Sequence, residues 1–379
     1  MERQKELAVQ LIQERLSRTI ETRTAWYAEV QRLLQEEDVY IWGMGQMGQW
    51  TAHLVHDMGG RVAAFIDNSA ARWGATSEGI LCISPEQLRE KENPLVFIGV
   101  GMSGAAVAAQ LADMNVHRVL DMPDFYLNTL FEDIHSAHAA ELAARVAVCF
   151  DILADDASRD VLLAKLRGFL DFEPGFATQS HYGDICRSDQ YFQNDLIRFT
   201  ENSVLVDCGA YTGDTMQDFL RRRLPFRKYI AYELSRRNYE KLQNNMNDAR
   251  GGGTGELIAY NCGVGERNEQ ICYDDVVSAS SVSSTGIPGE IVRMSDHLRD
   301  EAVSFIKMDI EGAEFDALHG ARHTIETYAP DLAVCVYHII DDFYRIPLLL
   351  HHWNPRYRFY LRAHSSCCME TVLYATEGC

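Results

Sequence analysis

Basic residues are the clearest shortage in this sequence: 35 Lys and Arg against 55 Asp and Glu leave a formal net charge of -20 at pH 7. A nucleic-acid backbone or an anionic membrane surface would on average repel such a chain, so neither is expected as a partner. Long apolar runs are missing too. Nothing reaches the ~18 residues that a membrane span requires. No apolar signal core follows the opening Met-Glu-Arg-Gln-Lys-Glu, so a cytoplasmic protein is expected. No C-x-x-C pair occurs among the 10 cysteines. They are scattered, Cys208 and Cys335 lie in or beside apolar strand-like runs, and the adjacent Cys367 and Cys368 cannot form an ordinary structural disulfide. Reduced structural thiols, and no zinc site, are the expectation.

What is present is ordinary for a folded chain: 47% hydrophobic and 24% charged residues. A length of 379 residues points to two domains with connecting helices. Residues 1–36 carry Leu7, Leu11, Ile12, Leu16, Ile20, Trp26, Val30 and Leu33 at helical spacing. This amphipathic arm is expected to pack on the first domain, with a homodimer contact as the alternative. From Val39, short apolar runs (39–42, 62–66, 95–100, 118–120) alternate with helix-like stretches, which reads as a small Rossmann-like parallel sheet over 37–123. Residues 124–184 read as a helical connector. A second α/β alternation fills 185–379, with a loop-like Ser-rich stretch from Ser278 to Thr285.

Gly43, Gly45 and Gly48 form G-x-G-x-x-G after the first strand, and Asp67 closes the second. Such glycines permit a tight turn and a close backbone approach to a phosphate, while the acid could hold ribose hydroxyls. Three readings stay open at these four residues: a nucleotide or nucleotide-sugar site, a nicotinamide-dependent oxidoreductase, and a purely structural turn. A non-catalytic scaffold assembled through the arm is a further alternative for the whole chain.

The second half says more. Residues 203–215 run Ser-Val-Leu-Val-Asp-Cys-Gly-Ala-Tyr-Thr-Gly-Asp-Thr, an apolar strand entering a glycine turn that holds Asp207 and Asp214. A diphosphate binder would avoid carboxylates there, because the helix N-terminus is itself an anion site. Two acids suit instead a ligand bearing an ammonium and a sulfonium charge. Glu233, ending the next strand, is placed to accept ribose hydroxyls. Together these residues describe S-adenosyl-L-methionine.

The stretch 206–215, then Ile306-Lys307-Met308-Asp309-Ile310-Glu311-Gly312-Ala313-Glu314, then Tyr337-His338 and Tyr360-Leu361-Arg362, resembles the FkbM family of methyltransferases over about residues 185–376. The resemblance implies a class I methyltransferase fold with a seven-stranded sheet, preceded here by the smaller Rossmann-like α/β domain and the arm. It also implies methylation of a hydroxyl on a sugar, polyketide or other small metabolite, and the Rossmann-like domain ahead of it suggests a nucleotide-linked sugar. Asp207, Gly209, Tyr211, Gly213 and Glu233 would bind the cofactor, with Asn261 in the loop near the adenine. Tyr40 to Gly45 followed by Phe65 to Asn68 resembles the Rossmann-type domain attached to some sugar-modifying enzymes.

Ligands in open α/β sheets lie beyond the carboxyl ends of the strands. That rule brings Asp207, Glu233, Asn261, Asp309 and His338 to one crevice. Methyl transfer to an alcohol needs a group that accepts its proton. His338 is expected to be that base as a neutral imidazole, with Asp309 as the alternative base or its orienter. Lys307 should pair with a carboxylate, since an unpaired buried ammonium is costly. Glu311 is expected in the acceptor pocket and Glu314 in a first helical turn. Asp309, Glu311 and His338 do not follow a recognisable metal-ligand spacing, so no metal is expected. Arg358, alternating with Tyr360 and Arg362 in a terminal hairpin, would suit a phosphate-bearing sugar or simply face solvent. His364 is a secondary candidate. The Gly43 loop and the Asp207 loop are expected to form separate sites.

Overall fold

The structure, a computed structural model, describes residues 2–101, 103–121, 139–171, 185–193, 195–249, 255–276, 279–283, 286–365 and 370–378. It opens with helix α1 (Glu2–Glu36), whose 35 residues correspond to roughly 50 Å of length. The helix serves two cores. Ala8, Leu11, Ile12 and Leu16 join the core of the C-terminal half, whereas Val30 and Leu34 pack in the first domain. The arm was expected to lie on the first domain alone; its apolar stripe is long enough to be divided between both.

The first sheet comprises β1 (Asp38–Trp42), β2 (Arg61–Ile66), β3 (Thr76–Ser77), β4 (Ile80–Ile83), β5 (Leu95–Ile98) and β6 (Val119–Asp121), in the order β3-β4-β2-β1-β5-β6. Helices α2 (Gln46–Asp57), α3 (Pro85–Arg89) and α4 (Gly104–Asp113) complete it. All pairings are parallel except β3 with β4. The continuous apolar run of β5 is buried throughout, as expected of a strand covered on both faces.

Residues 122–138 and 172–184 fall outside the described set. Between them, α5 (Ala139–Ile152) and α6 (Asp156–Leu170) do more than connect: Leu142, Val146, Phe150, Leu162, Leu166 and Phe169 belong to the core of the large sheet. The N-cap of α6 is Asp155, which accepts from Ser158 N at 2.9 Å.

That sheet orders seven strands as β16-β17-β15-β14-β7-β8-β9. In chain order the elements are β7 (Val204–Cys208), α7 (Asp214–Arg221), β8 (Lys228–Tyr232), α8 (Arg236–Ala249), β9 (Glu256–Tyr260), then β10 (Gly263–Gly265), β11 (Glu269–Val276), β12 (Ala279–Ser283) and β13 (Ile287–Arg293). They continue with α9 (Met294–His297), β14 (Phe305–Met308), α10 (Glu314–Tyr328), β15 (Asp331–Cys335), α11 (Asp342–Trp353), β16 (Arg358–Ala363) and β17 (Thr371–Thr376). Strands β15 to β9 run parallel, and β17 is antiparallel to both its neighbours. This is the class I methyltransferase arrangement.

Strands β10 to β13 form a separate four-stranded sheet. Ala279–Ser283, read from its serines as loop, is strand β12, paired antiparallel with β11. Ladder bonding there overrides a weak local propensity. Strand β15 ends at Cys335, so Tyr337 and His338 stand on the following loop.

Candidate active site

The order of the large sheet reverses between β7 and β14, and the carboxyl ends of those two strands frame the site. The turn after β7 passes so close to β14 that a Cβ on Gly209 would lie 1.9 Å from the Asp309 carbonyl oxygen. Gly209 also has φ +75, a region that side chains make costly. Both facts require glycine at that position. Gly213, at φ 88, is the N-cap of α7 and does its work through the backbone rather than by lining the cavity.

Below the turn sits a buried ion pair. Lys307 and Asp207 are register partners on β14 and β7, each 2% exposed. Nζ lies 3.0 Å from Asp207 Oδ1 and donates to the Gly209 carbonyl at 2.7 Å. Asp207 Oδ2 accepts from the Tyr229 hydroxyl at 2.7 Å. Burial alone would lower the Lys307 pKa; Asp207 and Asp309 outweigh it and hold the ammonium above its ordinary value. The expected pairing of Lys307 is therefore present. Asp207, expected to touch the cofactor, instead spends its carboxylate on Lys307 and Tyr229 and positions the turn from beneath.

A cavity of about 400 Å³ opens above, bordered by Gly209, Tyr211, Glu233, Lys307, Asp309 and Glu311 among others. Glu233 follows β8 and is gripped by backbone N–H groups: Tyr211 N donates to Oε2 at 2.8 Å and Ser235 N to Oε1 at 2.9 Å. Burial raises its pKa to about 7, opposed by those two bonds. Each oxygen keeps a lone pair for a ligand hydroxyl.

Across the cavity, Asp309 accepts from Tyr191 OH at 2.8 Å through Oδ2 and from Tyr337 OH at 3.2 Å through Oδ1. Burial pushes this carboxyl up, but Lys307, His338 and the Tyr191 bond prevail and keep it below its ordinary value. Glu311 is raised to about 7, chiefly by burial. His338 lies behind Asp309, 2% exposed, with Nδ1 2.9 Å from Glu314 Oε1 and Nε2 3.5 Å from oxygens of both Asp309 and Glu311. Burial disfavours its charge, yet Glu314, Glu311 and Asp309 together raise its pKa to about 10. The expected neutral base is thus replaced by a buried, cationic imidazole that does not border the cavity.

A family model described as the methyltransferase FkbM domain matches residues 207–359. The chain carries an FkbM methyltransferase domain. In fold, it is similar to the crystal structure of methyltransferase FkbM from Methylobacillus flagellatus KT, with TM-score 0.64 and 20% identity over 94% of this chain and 99% of that one. UDP-D-quinovosamine 4-dehydrogenase from Vibrio fischeri aligns at TM-score 0.20 and 24% identity, over 23% of this chain and 78% of that one. An rRNA methylase from Streptococcus thermophilus aligns at TM-score 0.31 and 13% identity, over 48% and 88%. No curated protein matches this sequence.

Other expected site residues stand apart from the cavity of the FkbM domain. Asn261 turns its amide to the carbonyls of Glu233 and Leu234, at 2.9 and 3.0 Å, and borders a neighbouring pocket with Tyr260 and His297. Arg358 is exposed on the outermost strand, over the Tyr360 ring at 5.8 Å; a phosphate-binding role has no support there. Arg362 is buried against Asp155 at 2.6 Å. His364 is occupied by the Arg187 carbonyl and the Tyr374 hydroxyl, both at 3.0 Å.

In the first domain, Asp67 accepts from Ser69 N at 2.8 Å and from Met44 N at 3.2 Å, and pairs with Arg72 at 2.7 Å. Oδ2 is shared by Met44 N and Arg72, and Oδ1 keeps a lone pair beside the Ser69 bond. A Cβ on Gly48 would strike the Gly43 carbonyl oxygen at 1.8 Å, whereas one on Gly45 would meet nothing nearer than Arg72 Nη1 at 3.9 Å. Close packing thus explains Gly48 and not Gly45. The residue after Gly45, Gln46, borders the cavity of the FkbM domain. Gly43, Gly45 and Gly48 themselves do not border it.

Sequence reasoning missed Gln190, Tyr191, Tyr337 and Glu370, all of which border that cavity. Tyr337 lay within a recognised motif and could have been found. The others carry no local pattern.

Proposed function

We propose that this methyltransferase uses S-adenosyl-L-methionine and methylates a hydroxyl on a sugar, nucleotide-linked sugar or other small metabolite. The observation that carries the reading is the charge of the cavity wall. Among its described residues, Asp214, Glu233, Asp309, Glu311 and Glu370 meet one basic group, Lys307, and that lysine is already committed to Asp207 and Gly209. Such a wall favours a cationic donor and disfavours a dinucleotide diphosphate.

The donor supplies an activated methyl group on a sulfonium. Glu233 accepts its ribose hydroxyls, the glycine turn from Gly209 to Tyr211 allows close approach, and Asp214 faces the cationic end. Asp309, oriented by Tyr191 and Tyr337, receives the proton of the acceptor hydroxyl. A carboxylate held ionised by Lys307 is available for this at neutral pH.

Glu233 provides the test. Its carboxyl is pushed up to about 7 and must be ionised to accept hydroxyls, so donor affinity should rise with pH through 7 and fall below it. Lys307 opposes that shift and Asp207 adds to it; both are fixed in their own pair. In Glu233→Gln the calorimetric affinity should drop by about ten-fold or more, the cost of a lost charged hydrogen bond being ~1.5–3 kcal/mol, and this pH dependence should vanish. A wild-type affinity that is flat between pH 6 and 8 would remove Glu233 from the donor site.

A further inference from the structure

Three acids and one histidine converge at the acceptor end of the cavity, and their arrangement is not explained by hydrogen bonding alone. Donor atoms of Asp309, Glu314 and His338 all lie within 4.8 Å of one another. The imidazole Nε2 stands 3.5 Å from an oxygen of Asp309 and 3.5 Å from one of Glu311, beyond good hydrogen-bond range. Glu314 Oε2 has no hydrogen-bond partner, although Glu314 is fully buried. Buried polar atoms are rarely left unspent, and such exceptions call for an ion or a water. Glu311 reaches the group from a left-handed backbone, φ 58, a conformation that costs energy in a non-glycine residue.

We infer that Asp309, Glu311, Glu314 and His338 form a divalent-cation site on the cavity wall. Opposite ligands of an octahedral ion with bonds of ~2.1–2.4 Å lie ~4.2–4.8 Å apart, which matches the observed spread. Carboxylates with one imidazole suit Mn²⁺ or Mg²⁺ better than a thiolate-seeking metal. Glu314 and His338 form the buried floor, whereas Asp309 and Glu311 border the cavity and give access to it. With His338 releasing its extra proton to solvent as the ion binds, four protein donors leave two positions of an octahedron for oxygen atoms of the acceptor.

The inference rests on the methyl-transfer reading and deepens it. An acceptor hydroxyl bound to the cation loses its proton more readily. The O–H bond breaks with the proton passing to the second oxygen of Asp309. The oxygen pair then forms the bond to the methyl carbon as the S–C pair returns to sulfur, leaving a neutral thioether. The acceptor class is thereby narrowed to molecules that present two neighbouring oxygens, such as the vicinal hydroxyls of a sugar.

The test uses the full-length protein, stripped with a chelator and titrated with Mn²⁺, free ion being followed by electron paramagnetic resonance. One Mn²⁺ should bind per chain, Mg²⁺ should compete for it, and Glu311→Gln should weaken it at least ten-fold. Glu311 is partly exposed, so this variant keeps the fold; Glu314→Gln, in the buried floor, should weaken binding as well wherever circular dichroism shows it folded. Absence of saturable Mn²⁺ binding, or binding unchanged in Glu311→Gln, would overturn the site and leave His338 as an internal counter-ion for the acids. Donor affinity of the stripped protein, measured by calorimetry, separates the two levels: donor binding without Mn²⁺ binding sinks only the cation site.

Discussion

Replacing Lys307 with methionine should destabilise the protein by ~3–5 kcal/mol, the effect of leaving a buried charge without its partner. Asp207 would then keep only the Tyr229 hydroxyl in surroundings where it is 2% exposed. The Gly209 carbonyl would also lose the 2.7 Å bond that fixes the turn. Urea denaturation monitored by circular dichroism measures the loss directly. The double variant Asp207→Asn with Lys307→Met should recover part of it, because the stranded charge is gone. A single-variant loss under ~1 kcal/mol would mean that the pair does not hold the turn. The same logic reassigns Asp207: its replacement should appear first in stability, and in donor affinity only as the turn loosens.

Asp309→Asn should leave donor affinity near wild type and slow methyl transfer by ~10²–10⁴, the usual contribution of a positioned proton acceptor. Asparagine keeps the size of the side chain, and its one carbonyl oxygen can keep the bond from Tyr191 or the bond from Tyr337 but not both, while its amide nitrogen cannot accept the proton. Single-turnover measurement with saturating donor isolates the chemical step from product release. Tyr191→Phe should give a smaller decrease, since it disturbs only the orientation of Asp309. A full single-turnover rate in Asp309→Asn would exclude Asp309 from the reaction.

The parts of this molecule that could be read from sequence are those where local pattern and tertiary role coincide. Strand β7 and its turn show an apolar run, a glycine that the neighbouring strand requires, and Glu233 at the end of the next strand. Each follows from a rule that acts within a few residues. Lys307 was legible for the same reason: an ammonium inside an apolar strand has to be paired. His338 was misread because its character is set by Glu314, placed behind it by a helix that begins 24 residues earlier, and by the absence of an opening to the cavity. Spacing along the chain does not report such an enclosure.

Distance in sequence hid the rest. Tyr191 comes from an irregular segment before the large sheet, yet reaches Asp309, 118 residues on. Glu370 arrives at the start of the final strand and is held by Gln190 across 180 residues. Neither stands in a motif. The first glycine loop was recognisable as a turn, but its relation to the main cavity depends on how two domains meet, with α1 packed into the cores of both. The serines of β12 illustrate the opposite failure, in which weak strand propensity concealed a paired strand.

The central claim is that the acidic cavity at the β7–β14 switch point takes a sulfonium donor. Calorimetric titration of the purified protein with S-adenosyl-L-methionine, and with NAD in parallel, tests it most directly. Saturable binding of one S-adenosyl-L-methionine per chain, with no heat from NAD, is the predicted result; saturable NAD binding without donor binding would contradict the account.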